Sequence, residues 1–183
     1  MTEKKVVIDK LRLSYEGLFS VVDLYKLIDT FLREKGYDKR ERLHQERVLP
    51  EGKYIELEIE PWKKYTDYVK SEIRLRIIMS DIKEVEVERD NMKIRLNQGK
   101  VQFIFDGYLT TDYEGRWEQK PIFFFLRTIF DKYIYKIYTG KYEGQVLEDV
   151  NQIHARIKAF LNLYRFTEES TTAPTGKVQF GPG

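Results

Sequence analysis

From about residue 41 to 113, apolar and polar side chains alternate one by one, and this period limits the possible folds more than any other feature of the chain. Ile55, Leu57 and Ile59 alternate with Glu56, Glu58 and Glu60, and Ile73, Leu75, Ile77 and Met79 with Glu72, Arg74 and Arg76. Val85 and Val87 sit between Glu84, Glu86 and Glu88; Met92, Ile94 and Leu96 alternate with Lys93 and Arg95; Val101, Phe103 and Phe105 follow. Successive side chains of a strand point to opposite faces, so each run reads as a strand with one apolar and one charged face. "SD" at 80–81, "RDN" at 89–91 and "NQG" at 97–99 read as turns. Connections this short require antiparallel neighbours, which makes a meander. Its apolar face must be covered, whereas the charged face is solvated. Glutamate rows precede Arg and Lys rows on the next strand, which favours that pairing by roughly 0.2–1 kcal/mol per pair.

Helical periods flank the strand region. Residues 4–16 read as a strand, with Leu11, Leu13 and Tyr15 on one side. After it, Val21, Leu24, Tyr25, Ile28, Phe31 and Leu32 recur at helical spacing, with Ser20 as N-cap and Gly36 at the stop. Pro121–Tyr138, "PIFFFLRTIFDKYIYKIY", sets Ile122, Phe123, Leu126, Ile129, Phe130, Tyr133, Ile134 and Ile137 on one broad face. A membrane span needs about 20 residues with few charges, and Arg127 and Asp131 interrupt this one. It reads as an amphipathic helix begun by Pro121. A last helix follows, with a stripe of Val146, Val150, Ile153, Ile157, Phe160 and Tyr164.

The expected fold is therefore α+β: an antiparallel meander with one apolar face covered by an N-terminal helix and two C-terminal helices. By element order alone it is compatible with a helix-grip (START-like) arrangement, and no functional residue follows from that. Residues 1–166 read as one globular domain. Residues 167–183, rich in Ser, Thr, Pro and Gly, read as a flexible tail.

Composition excludes several chemistries. The chain of 183 residues has no cysteine, so disulfides, thiolate metal sites and Cys nucleophiles are impossible. Lys+Arg 32 against Asp+Glu 30 leaves +2, so any nucleic-acid contact needs a local basic patch. No secretory signal is visible at the N-terminus, which makes the cytoplasm the expected compartment. Abundant Glu, Lys and Arg with few Met is a composition that thermophile proteins often show.

Catalytic machinery is sparse. His44 and His154 lie in no metal-ligand spacing. His154 borders the last apolar stripe, where a partly buried structural imidazole is expected. In-line Glu56, Glu58 and Glu60 beside arginines read as an ion-paired face rather than a cation site. "TGK" at 139–141 and 175–177 lacks the phosphate-loop frame. No catalytic residue, metal or cofactor is expected, and an enzyme is the least favoured class.

Three binding readings remain. Aromatics make up 14% of the chain, and one packed face of the Pro121–Tyr138 helix cannot bury Phe124, Phe125, Tyr135 and Tyr138 as well. With Phe180 in the β-prone tail end "KVQFGPG", they suggest a protein partner or a homo-oligomer. This is the first reading. In the second, Tyr15, Ile77, Phe103, Phe105, His154 and Ile157 would line a pocket for an apolar or lipid-like small molecule between sheet and last helix. In the third, Trp62, Lys63, Lys64, Tyr65, Tyr68 and Lys70 interleave stacking faces with lysines, the pairing that single-stranded nucleic-acid binders use.

Overall fold

The structure, a computed structural model, describes residues 3–89, 92–111, 113 and 135–171. Its elements are β1 (Glu3–Phe19), α1 (Val21–Glu34), β2 (Glu41–Leu49), β3 (Gly52–Ile59), β4 (Trp62–Lys64), β5 (Val69–Arg89), β6 (Met92–Thr111) and α2 (Tyr135–Thr171). The sheet runs in the order β1-β6-β5-β3-β2, and β4 continues the β3 side of β5. All strand pairs are antiparallel. The architecture is α+β, with both described helices packed on one face of the sheet.

Alternation sorts the side chains as expected. In register across the sheet lie Leu11, Phe105, Leu75 and Ile59, and beside them Leu13, Phe103, Ile77 and Leu57. These rows face the helices, and Phe103, Phe105 and Ile77 are completely buried. On the opposite face Glu58 pairs with Arg76 at 3.3 Å and Glu60 with Arg74 at 3.1 Å.

Two of the three expected turns are not turns. Ser80–Asp81 and Asn97–Gly99 lie within β5 and β6, which pair continuously from Val69↔Thr111 to Arg89↔Met92 apart from one bulge between Ser80 and Lys83. Asp81 takes a φ of 59° there, a conformation that Asp tolerates better than most residues. Gly99 is needed opposite the bulge: a Cβ on it would stand 2.6 Å from Ile82 Cδ1. Past the bulge the apolar phase moves to the other face of β6, because Ile94 and Leu96 alternate in step with Lys100 and Gln102.

Helix α1 follows the sequence. Ser20 accepts a hydrogen bond from the Asp23 amide, and Leu24, Ile28, Phe31 and Leu32 are buried. It stops where Gly36 takes a φ of 72° while Tyr37 N–H donates to the Leu32 carbonyl and Gly36 N–H to that of Arg33. Helix α2 differs from expectation. It runs unbroken through Gly140 and Gly144 and joins the end of the expected penultimate helix to the expected last one. It also continues past Phe166 to Thr171, into residues expected in the tail. Extending an existing helix costs far less than starting one, so single glycines at about 1 kcal/mol each do not end it. No described helix is long and apolar enough to cross a membrane.

Val146, Val150, Ile153, Ile157 and Leu161 of α2 are buried against the sheet. The approach is closest over Gly107, where an added Cβ would stand 3.1 Å from Val146 Cγ1.

Candidate ligand site

On the face turned away from α1 and α2, four residues stand directly opposite one another across four strands: Lys4 on β1, Thr110 on β6, Lys70 on β5 and Lys64 on β4. Three of the four are lysines, and Lys64 and Lys70 face each other directly. The neighbouring row holds Val6, Tyr108, Glu72 and Trp62.

Strand β4 exists as a separate piece because Pro61 has no N–H with which to continue β3. The Pro61 carbonyl accepts from Ile73 N–H, and Trp62 then exchanges both backbone hydrogen bonds with Asp38 at 2.9 Å. Arg40 is thereby brought to the same corner. Together Arg40, Glu60, Trp62, Lys64, Lys70, Glu72 and Tyr113 line a pocket of about 480 Å³. The Tyr113 ring has Lys64 Nζ at 5.3 Å and Lys70 Nζ at 5.5 Å from its centroid, and its hydroxyl donates to the Thr66 carbonyl. Lys4 Nζ stands 4.1 Å from the Tyr108 centroid. Cations held over aromatic faces are attracted by the ring quadrupole.

Each carboxylate of the pocket carries two cations. Glu72 receives Lys4 at 2.6 Å and Lys70 at 2.7 Å. Glu60 receives Arg42 at 2.7 Å and Arg74 at 3.1 Å. Burial alone would raise the pKa of each, but the hydrogen bonds and charges of these partners outweigh it and hold both carboxyls below the ordinary value of 4.5.

The expected Trp62–Lys70 loop is divided between the two faces. Trp62, Lys64 and Lys70 belong to the pocket, while Lys63 and Tyr65 alternate to the helix side. Lys63 Nζ donates to the Lys35 carbonyl at the end of α1, and Tyr65 stacks on Tyr142 of α2 at 4.8 Å. Tyr68 packs in the small cluster around Val69, Leu109 and Val146. Beneath them lies a buried polar network: Tyr37 donates to Asp149 at 3.0 Å, Lys35 pairs with the same carboxylate at 3.0 Å, and Ser71 reaches the Tyr37 hydroxyl at 3.4 Å. Burial raises the pKa of Tyr37 far above its ordinary value, and the neighbouring Asp149 adds to that. Tyr65 is raised too, chiefly by desolvation, with the neighbouring Ser71 and Tyr37 hydroxyls acting against the rise. These groups fasten α2 to β4, β5 and the loop after α1.

The structure gathers all six candidate pocket residues at the sheet–helix interface. Ile77, Phe103, Phe105 and Ile157 are fully buried members of one packed cluster with Tyr15 against it, and His154 meets the Phe105 ring edge-on at 5.8 Å. Phe124, Phe125 and Phe180 lie outside the described residues, and of Tyr135 and Tyr138 only the backbone in α2 is described. Among the described residues no group of three or more His, Asp or Glu is placed to hold a metal ion. Sequence reasoning missed Lys4, Arg40, Tyr108, Thr110 and Tyr113, which come from distant segments and meet only in the folded sheet.

The chain matches no family model, no curated protein and no solved structure.

Both depressed glutamates contribute stability that is fully present above pH 4.5 and is lost as pH falls through their folded-state values. A Glu60→Gln, Glu72→Gln double variant is expected to lose less stability than the native protein between about pH 6 and about pH 3. Urea unfolding at both pH values measures this, and equal losses would show that the four cations do not hold the two carboxylates as described.

Proposed function

We propose that this protein is a non-enzymatic binding protein whose ligand is a single-stranded nucleic acid, held on the face away from the helices. The observation that carries the reading is the lysine row beside the Trp62 and Tyr113 rings. Aromatic faces stack bases whatever their sequence, and a cationic row follows the backbone phosphates. Lys64 and Lys70 stand directly opposite in register, so both ammonium groups can meet one backbone at this corner. The helix-grip reading, with an apolar molecule between sheet and last helix, is less favoured because its candidate residues pack against one another.

A fluorescent oligonucleotide of about twelve nucleotides tests the reading by anisotropy. Binding is expected at about 0.05 M salt and should fall several-fold or more by about 0.2 M. Trp62→Ala should weaken it by roughly tenfold through lost stacking, and Lys64→Ala should lower the salt slope by about one. Absent binding at low salt, or binding indifferent to both variants, would sink the proposal.

A second reading, engagement of a protein partner or a second copy, is favoured by a different observation. Leu27, Ala159, Phe160 and Leu163 line a groove of about 490 Å³ between α1 and α2, and Leu163 is 70% exposed. Grooves of this kind seat apolar side chains of a partner. Native mass spectrometry would then find a multiple of 22.0 kDa or a co-purifying chain, whereas a bare monomer at every concentration would count against it.

A further inference from the structure

We propose that a phosphate of the ligand seats over Thr110, between Lys4 and Lys70, and that Glu72 is the group it displaces. This rests on the nucleic-acid reading above and assigns the anion subsite within it.

Thr110 is 4% exposed and, among the described residues, its Oγ1 has no hydrogen-bond partner. A buried, unpaired hydroxyl is costly, and native structures seldom keep one without a reason. On its own face it is flanked in register by Lys4 on one side and Lys70 on the other. Both ammonium groups lean out of the row to Glu72 in the next row, at 2.6 and 2.7 Å. Glu72 thus occupies the place of an anion, but incompletely. Its Oε2 takes Lys4 and its Oε1 takes Lys70, and neither oxygen reaches the Thr110 hydroxyl.

A phosphate has more acceptor oxygens than a carboxylate. It would accept from both ammonium groups and from the Thr110 hydroxyl together, with Lys64 of the same row adding attraction. Charge-assisted hydrogen bonds of this type are the strong ones. Glu72 therefore acts as a built-in competitor: it keeps the lysines together in the free protein and sets the threshold that a ligand must exceed. The base next to that phosphate would fall beside Tyr113, whose ring centroid lies 5.3 Å from Lys64 Nζ and 5.5 Å from Lys70 Nζ.

The probe is inorganic phosphate added to the full chain at constant ionic strength, followed through the amide signal of residue 110. Native protein should show a saturating shift. Glu72→Gln, which removes the competing charge, should tighten binding by roughly tenfold, and Thr110→Val, which keeps shape and strand propensity, should weaken it by roughly tenfold. Circular dichroism would show that both variants stay folded. Identical phosphate affinity in the native protein and both variants, or no shift at all, would overturn the subsite. Oligonucleotide binding that survives unchanged in both variants would overturn it too, while leaving the wider reading standing. Phosphate binding with the expected variant pattern but no oligonucleotide binding would uphold the subsite and remove the nucleic-acid reading.

Discussion

The long β5–β6 ladder is the constraint on which the rest depends. Every other strand reaches the sheet through it: β1 adds to β6, while β3 and β4 add to β5. From Val69 to Ser80 its alternation divides the chemistry of the molecule between two faces. Residues such as Leu75, Ile77, Phe103 and Phe105 turn inward and are completely covered by helices and neighbours. Their neighbours in sequence turn outward, where ion pairs such as Glu58–Arg76 and Glu60–Arg74 form. The inner face is the source of stability, since burying each such side chain contributes about 1.5–3 kcal/mol.

Much of this was legible because a period of two leaves little freedom. The inward positions of β3, of β5 up to Met79 and of Val101–Phe105 in β6, the buried stripe of α1 with its Ser20 cap, and the pairing of Glu58 with Arg76 and Glu86 with Arg95 all follow from pattern. What the pattern hid was continuity. Ser80–Asp81 and Asn97–Gly99 carry turn-forming residues, but such residues also make bulges, and nothing local distinguishes the two. Only the pairing shows that Gly99 is small to admit Ile82 rather than to turn the chain. The same applied to α2, where Gly140 and Gly144 suggested a break that an existing helix passes through.

The candidate site was half legible for a related reason. Trp62, Lys64 and Lys70 stand out in the sequence as interleaved aromatics and lysines. Their odd-numbered neighbours Lys63 and Tyr65 looked equivalent and are not, because alternation sends them to the helix side. Lys4 and Thr110 could not be found, since they meet Lys70 only through a register that joins both ends of the sheet. Likewise Tyr37 and Asp149, far apart in sequence, meet only in the folded chain. Residues that carry chemistry by juxtaposition leave no local signal.

Among the described residues the two faces thus differ, one closed around a packed core and one presenting cations and aromatic rings at a single corner. The most direct test of that division is a nitrogen–proton correlation spectrum of the protein with and without a single-stranded oligonucleotide. The account predicts shifts concentrated at residues 62–72 and 108–111, with the amides of α1 and of α2 beyond Val150 undisturbed. Shifts centred on Leu27 and Phe160 in the helical groove, or none anywhere, would contradict it.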